Sequence, residues 1–305
     1  MALTERQIIE RLKLYGHLER PRGVPSGLWP TIDELTLDAP PVQAALESFQ
    51  VMHAAVLEPL VAKHHPERSS TAVVADGKIG PATEELLETA RCRVPDYAFS
   101  EPLLGSGNWK GCHGIGEFHA AKVKINTAGL PSFLAPVFDE VWRRTVEAYE
   151  EVGLRFMRDD TTLRPQIEIS FVKPDGGWIG LAIVGQNETC SSQPIWARFD
   201  KGYQPANVLS EWTTLFKHEL GHNCGLSHSS GGVMNPYIIK GLPVSWKGDP
   251  SHNLLVKRFG GVPVPGGGPV SRERVIAWRY PDGRYETILV IPADTASPGL
   301  FPTNP

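Results

Sequence analysis

The chain has 305 residues, a formal net charge of −4 and a hydrophobic fraction of 41%. This length allows one large domain or two modest ones, and the composition is typical of globular rather than disordered proteins. The acidic balance argues against a nucleic-acid partner, because such proteins usually carry a basic surface that replaces the counterions of the phosphates. No apolar run approaches the roughly 20 residues that span a bilayer, and residues 1–7 lack the pattern of a secretory signal, so any export route stays open.

The amino-terminal part of the chain has helical periodicity. Thr4 and Gln7 form the pattern of a capping box, which predicts a helix that ends near Pro21. Apolar spacing predicts a second helix over residues 41–62. The pair Gly80-Pro81 predicts the start of a third helix, because proline is favoured at the first helical position.

The segment 97–118 is rich in Gly, Pro and Ser and has no periodicity, which predicts an exposed linker open to proteolytic cleavage. It separates a small all-α domain of three helices, residues 1–96, from a second domain that we place at residues 119–261. A Pro/Gly-rich spacer then leads into the tail, residues 262–305. There Pro281-Asp282-Gly283 predicts a β-hairpin.

The second domain mixes strand and helix patterns. Alternation predicts strands over residues 121–126, 166–172, 178–184 and 194–200. Helical spacing is found over residues 134–146, before residue 218, and in a short run over residues 251–259. This order of elements predicts an α+β fold class.

The segment with the clearest chemistry is His218-Glu219-Leu220-Gly221-His222, followed by Gly225 and His228. On a helix, side chains four residues apart share a face, so the imidazoles at 218 and 222 can reach one ion. Gly225 can take the positive φ that ends a helix, which brings His228 back as a third ligand. Three protein ligands leave the fourth position open for water, as in catalytic rather than structural zinc sites.

Glu219 would lie beside the predicted ion without being needed as a ligand. Zinc lowers the pKa of bound water to about 7, so this carboxylate can take the proton and pass it to a leaving amine. The segment therefore predicts peptide hydrolysis with one catalytic Zn2+. Two alternatives stay open: the histidines are ordinary residues of a helix, or they bind another transition metal such as iron.

With Ser229 and the segment Gly232-Val233-Met234-Asn235-Pro236, the histidine motif resembles that of the matrixins, the metzincin branch of matrix metalloproteinases and their bacterial relatives. The resemblance implies a metzincin-like catalytic domain with a twisted mixed sheet, two long helices, and Met234 beneath the metal. It also implies a zinc endopeptidase that acts on protein or peptide substrates, outside the cell or in the cell envelope. We expect a monomer.

The amino-terminal helices resemble the matrixin propeptide, itself similar to peptidoglycan-binding helical domains. Arg91-Cys92-Arg93-Val94-Pro95-Asp96 resembles the cysteine-switch motif, although Ala90 and Arg93 stand where the family usually has proline and glycine. The resemblance implies that Cys92 occupies the open zinc position in a latent form and that Arg91 pairs with Asp96. The alternative is that Cys92 is an ordinary surface thiol.

Other expectations also follow from the resemblance. The strand Ala197-Arg198-Phe199-Asp200 would border the substrate cleft. Pro236 and Tyr237 would wall the main specificity pocket, although Tyr237 could equally be a packed aromatic. Arg198 stands where the family has a histidine for a second, structural zinc, so we expect that site to be absent. The calcium sites of the family stay open.

A function of another class stays open as well. In this alternative the chain is a cell-wall protein whose helical domain binds peptidoglycan and whose metal domain is accessory or degenerate. The intact Glu219 and the three intact histidines favour the peptidase. The sequence does not decide how Cys112, Cys190 and Cys224 pair.

Overall fold

The computed structural model describes residues 3–19, 25, 29–68, 72–89, 91–96, 120–163, 165–172, 178–182, 193–197, 208–239, 241–259, 273–279 and 285–292. At 120, 178, 193–197, 257–258 and in the two tail strands it describes the backbone alone. These residues form a mixed protein of helices and strands, in agreement with the predicted α+β class. The predicted linker, together with Ala90, Arg198, Cys112 and Cys190, lies outside the described residues.

The first helix, α1, spans Glu5–Leu14 and begins as predicted. Thr4 Oγ1 accepts the N–H of Gln7, and the Gln7 side chain accepts the N–H of Thr4. The predicted end near Pro21 is wrong. Gly16 takes a φ of +85°, and the N–H of His17 turns back to the carbonyl of Leu12, which closes the helix early.

The predicted single helix over residues 41–62 is two helices, α2 at Pro40–Met52 and α3 at Ala54–His64. They meet at His53, whose backbone leaves the helical region at φ −108° and ψ 19°. No glycine or proline marks this break. The buried His53 ring contacts Phe49 and Tyr237, so tertiary contacts override local helix propensity.

The fourth helix of this region, α4 at Pro81–Glu88, begins with the predicted proline. The described residues before 97 thus contain four α-helices rather than the three predicted. They enclose one hydrophobic cluster, whose core is Ile8, Ile9, Leu12, Val42, Leu46, Phe49, Leu57, Leu86 and Leu87. Tyr237, from the second half of the chain, also belongs to this cluster and ties the two parts together.

The main sheet has six strands in the order β1-β5-β6-β4-β2-β3. Their bounds are Arg91–Cys92 for β1, Ala120–Asn126 for β2, Arg155–Arg158 for β3, Ile167–Phe171 for β4, Trp178–Ala182 for β5 and Gln193–Ala197 for β6. The pairings β3-β2, β2-β4 and β4-β6 are parallel, whereas β5 is antiparallel to β6. β3 had no counterpart among the predicted strands.

The position of β6 corrects one expectation. This strand pairs with β4 on one side and with β5 on the other, so Ala197 lies inside the sheet and not at the border of a cleft. The strand next to the edge is β5, and the short segment β1 pairs with it in parallel. Residues 198–200 lie outside the described part of the chain.

Two long helices pack on the sheet: α5 at Phe138–Glu150 and α6 at Val208–Asn223. Their shared core contains Val123, Ile125, Phe138, Val141, Tyr149, Ile169, Trp212, Leu215 and Phe216. α6 is buried along nearly its whole length, including Lys217, whose ammonium group donates to the carbonyls of residues 243–245. This buried helix is the rigid support of the site described below.

A short helix, α7 at His252–Phe259, follows as predicted. In the tail, β7 at Glu273–Arg279 and β8 at Tyr285–Pro292 pair antiparallel, in agreement with the predicted hairpin, whose turn at residues 281–283 lies outside the described residues. Among the helices of the described residues, none combines the length and the apolar character that crossing a membrane requires.

Leu12 and Leu14 offer a matched test of the helical core. Leu12 is fully buried, whereas Leu14 on the same helix is 48% exposed. We expect Leu12→Ala to lower the free energy of unfolding by about 2–5 kcal/mol, because the truncation leaves a cavity. Leu14→Ala should change it by about 0.5 kcal/mol or less. Urea unfolding of both variants measures the difference, and equal losses would contradict the packing described.

Candidate metal centre

Helix α6 places two imidazoles and one carboxylate on its buried side. His218 and His222 are four residues apart, so their rings stand over the same face with centroids 4.6 Å apart. Glu219 is fully buried beside them. The helix ends directly after Asn223, where Gly225 takes a φ of +88°.

This turn brings the third histidine to the first two. The N–H of Gly225 donates to the His222 carbonyl at 2.8 Å, and the N–H of Leu226 donates to the Gly221 carbonyl at 2.9 Å. The chain therefore reverses within a few residues, and the His228 ring reaches the other two. The three Nε2 atoms lie 3.0, 3.2 and 3.3 Å from one another.

The outer nitrogen of each ring fixes its tautomer. Nδ1 of His218 lies 2.8 Å from the Val233 carbonyl, and Nδ1 of His222 lies 2.8 Å from the Leu226 carbonyl. Nδ1 of His228 lies 2.9 Å from Oδ1 of Asp96. Since these oxygens accept hydrogen bonds, each Nδ1 carries a proton, and each Nε2 of a neutral ring is left with a lone pair.

Burial keeps these rings neutral. It lowers the pKa of His218 to about 3, with a further contribution from His228, and it also lowers the pKa values of His222 and His228. Three unprotonated nitrogens that converge within 3.3 Å repel one another unless a cation lies between them. This arrangement could hold a metal ion.

Cys92 supplies a fourth donor to the same point. Its Sγ lies 3.5 Å from Nε2 of His222, and Cys92, His218, His222 and His228 form one buried group able to hold a metal ion. A tetrahedral zinc site has N–N edges of about 3.3 Å and N–S edges of about 3.6 Å, given Zn–N near 2.0–2.1 Å and Zn–S near 2.3 Å. The residues present therefore fit zinc.

The backbone of β1 holds the thiol in place. The N–H of Cys92 donates to the Pro236 carbonyl at 2.8 Å, and the N–H of Arg93 donates to the Gly180 carbonyl at 3.0 Å. The Arg93 side chain is exposed, so its bulk does not press into the site. Cys92 is therefore not a surface thiol, and the departure from glycine at residue 93 is accommodated.

Glu219 approaches the thiol and the sheet edge closely. Its Oε2 lies 4.0 Å from Cys92 Sγ, and its Oε1 has no hydrogen-bond partner among the described residues. Burial raises the pKa of Glu219 to about 8. Burial also raises the pKa of the Cys92 thiol, and the neighbouring Glu219 adds to this effect. A Cβ at Gly180 would overlap Oε1 of Glu219, so the approach of β5 requires glycine there.

Met234, expected beneath the metal, lies against α6 beside Gly221. A Cβ added to Gly221 would stand 2.6 Å from the Met234 sulfur, so glycine at 221 lets the methionine pack against α6. The turn that carries it is fixed by Asp249, which accepts the N–H of Val233 at 2.6 Å. Gly232 supports the same turn with a φ of +73°.

Arg91 and Asp96 form the predicted ion pair, and both are buried. The Arg91 guanidinium lies over the Tyr15 ring at 4.1 Å and near the Tyr237 ring at 5.2 Å. Burial alone would raise the pKa of Asp96, but Arg91 and three histidine donors outweigh it and hold the pKa well below its usual range. Asp96 is thus charged inside the protein.

Two of those donors, His17 and His53, were missed by the sequence interpretation. Nε2 of His17 lies 2.7 Å and Nε2 of His53 lies 2.9 Å from Oδ2 of Asp96. Their spacing in the sequence matches no metal motif. The one available signal was a histidine within or just after each apolar helical pattern, which has no specific meaning by itself.

Pro236 and Tyr237, which were both expected to line the specificity pocket, lie in different surroundings in the structure. Pro236 lines a small recess beside His218, together with Ile179, Leu215, Val233 and Ile238. Tyr237 instead packs against His53 in the helical cluster, with ring centroids 5.2 Å apart. Its position agrees with the packed-aromatic alternative. Cys224 is buried.

Comparisons with known proteins add little to this geometry. No family model matches the chain, and no curated protein matches it. Among solved structures 92 chains match, and one is the structure of myroilysin, at 18% identity, 36% coverage of this chain and a TM-score of 0.25. The match spans about half, 48%, of the myroilysin chain. At this TM-score the similarity carries no argument about the site.

Acid should lower the stability of the folded chain through the buried His53. Burial lowers the pKa of His53 to about 4, although Asp96 opposes this effect, whereas an exposed imidazole titrates near 6.5. The folded form therefore binds fewer protons than the unfolded form below pH 6.5, and stability is lost as the pH falls from about 6.5 towards 4. At pH 5 the loss from this group is about 2 kcal/mol.

Urea unfolding at pH 7 and pH 5 measures this loss. His53→Gln removes the titrating group, so the difference between the two pH values should shrink. His65→Gln is the matched control, because His65 lies nearer the surface of the same helical region beside Glu67. An unchanged pH dependence in His53→Gln would contradict the assignment.

Proposed function

We propose that the chain is a zinc-dependent endopeptidase of the matrixin type, made in a latent form in which Cys92 occupies the fourth zinc position. The observation that carries the proposal is the convergence of three unprotonated Nε2 atoms, within 3.0–3.3 Å of one another, beside a buried carboxylate. His218, His222 and His228 would hold the zinc. When bound there, the ion would supply Lewis acidity towards a peptide carbonyl and towards water.

Glu219 is the general base of this proposal. It follows His218 directly on α6, and its Oε1 is unpaired among the described residues, so one oxygen is available to an attacking water. Burial raises the pKa of this carboxyl, which makes it a stronger base once it is ionised. The carboxyl would accept the proton of water and return it to the nitrogen of the leaving amine.

The edge of β5 and the turn at Pro236 are the proposed substrate track. The carbonyls of Gly180 and Pro236 now accept the N–H groups of Arg93 and Cys92. If residues 91–96 leave, both carbonyls become free to accept N–H groups of an extended substrate. A protein or peptide substrate fits this backbone recognition, because it depends on main-chain groups.

Latency is supported by the space that the segment fills. The recess beside His218 has a volume of only about 10 Å³, which is room for about one water molecule. In this proposal, the thiol beside the histidines and β1 on the sheet edge keep a substrate chain out. Cleavage within residues 97–118 is the proposed route to release, and peptidoglycan binding by the helical domain stays a prediction.

Glu219→Gln tests the base. We expect hydrolysis of a quenched peptide, measured after cleavage in the linker, to fall by about 10²–10⁴-fold, because the amide cannot take up the proton. The zinc content should be unchanged. Glu168→Gln on β4, away from the helix, is the control and should keep the parent rate. A Glu219→Gln chain that hydrolyses peptide at the parent rate would refute the assignment.

Cys92→Ser tests the thiol. Serine keeps the size of the side chain but is a poor zinc ligand, so the uncleaved variant should hydrolyse peptide faster than the uncleaved parent. Its rate should stay below that of the cleaved parent, because β1 still pairs with β5. If the uncleaved variant is as inactive as the uncleaved parent, Cys92 is not what maintains latency.

A further inference from the structure

We propose that Asp96 is a positioning residue for the metal ligand His228, through which the helical domain raises the affinity of the site for zinc. The inference rests on the metal site proposed above. The amino-terminal region would then act on the metal site in two ways. Cys92 occupies a metal-facing position, whereas Asp96 contacts Nδ1 of His228, the ring nitrogen that faces away from the metal.

The three histidines have unequal outer contacts. Nδ1 of His218 and Nδ1 of His222 donate to the backbone carbonyls of Val233 and Leu226, which belong to the chain just after α6. Nδ1 of His228 donates to a carboxylate, Oδ1 of Asp96, which lies 132 positions earlier in the sequence. A carboxylate partner fixes the ring and raises the basicity of the ligand more than a neutral carbonyl does.

The helical domain holds this carboxylate. Oδ2 of Asp96 accepts Nε2–H of His17 at 2.7 Å and of His53 at 2.9 Å, and the N–H of Asp96 donates to the Tyr15 carbonyl at 2.8 Å. The side chains of Asp96, His17, His53 and His228 are all inaccessible to solvent. The orientation of His228 therefore depends on the end of α1 and on the junction of α2 and α3.

The group His17, His53 and Asp96 could itself be taken for a second metal site. The surrounding charge argues against that interpretation. Arg91 donates to both oxygens of Asp96, and its guanidinium, buried beside the cluster, would repel a cation. Hydrogen bonds from two imidazoles and one guanidinium already satisfy Oδ2, so the cluster positions Asp96 without an ion.

Coupling of this kind is reciprocal. If the contact with Asp96 strengthens zinc binding, zinc strengthens the docking of the helical domain by the same factor. Departure of residues 91–96 then removes the thiol and the carboxylate partner of His228 together. The zinc affinity of the released enzyme should therefore fall by more than the loss of the thiol alone explains.

The test uses the full chain with Cys92→Ser, so that the thiol makes no contribution to the measurement. Zinc affinity is determined by competition with a chromophoric chelator. Adding Asp96→Asn should weaken zinc binding by about 10–100-fold. Asp76→Asn is the matched control, because Asp76 accepts hydrogen bonds from Gln50 and Lys78 inside the helical domain and does not contact the histidines. It should keep the affinity of the Cys92→Ser chain.

A spectroscopic readout separates positioning from general loosening of the fold. In the zinc-bound Cys92→Ser chain with labelled histidines, the Nδ1 proton of each ligand gives its own NMR resonance. Asp96→Asn should shift the resonance of His228 and leave those of His218 and His222 in place. Damage to the whole site would move all three resonances, which would overturn the proposal.

His17→Gln and His53→Gln change residues that contact Asp96, so they should affect the metal site through Asp96. Each should lower zinc affinity in the Cys92→Ser chain, by less than Asp96→Asn does. Unchanged affinity in Asp96→Asn, or in both histidine variants, would overturn the proposal while leaving the peptidase untouched. If the Cys92→Ser chain itself binds no zinc, the metal site and the proposed function fail together with the inference.

Discussion

The central constraint on the structure is the close approach of three imidazole nitrogens, whose lone pairs repel one another and which could together hold a metal ion. The lone pairs of the Nε2 atoms converge because the Nδ1–H group of each ring donates a hydrogen bond to a carbonyl or to a carboxylate. The surrounding fold maintains this costly arrangement by burying α6 on all sides, with Tyr149 donating to the Lys217 carbonyl and Lys217 anchoring the loop at residues 243–245. A helix free to rotate by one position would separate the ligands.

The convergence of the three histidines could be predicted from the sequence because it follows from local geometry. A spacing of four residues on a helix and a glycine with positive φ bring His218, His222 and His228 close together, while distant residues such as Asp96 fix the ring of His228. The capping box at Thr4 and the proline start of α4 were predictable for the same reason. Local rules therefore predicted the histidine group, whereas Cys92 and Asp96 reach it over about 130 positions of sequence.

The sequence predictions are wrong where contacts between residues distant in the sequence determine the structure. The helix after Pro40 breaks at His53 without any glycine or proline, and α1 stops at Leu14 although the apolar pattern continues to Leu18. In both places the histidine that follows the helix end turns towards Asp96. β3 was missed because four residues, two of them arginines, carry too short a pattern to register as a strand.

These helix ends and the metal centre belong to one polar network. Asp96 would be costly to bury as an isolated charge, yet five donor contacts, two from Arg91 and one each from His17, His53 and His228, satisfy both of its oxygens. Such a network is stable only when complete, because a buried charge that loses its partners is strongly destabilising. Removing the segment at residues 91–96 therefore breaks the network at its centre, and opening of the cleft and exposure of the histidines are expected to occur as one event.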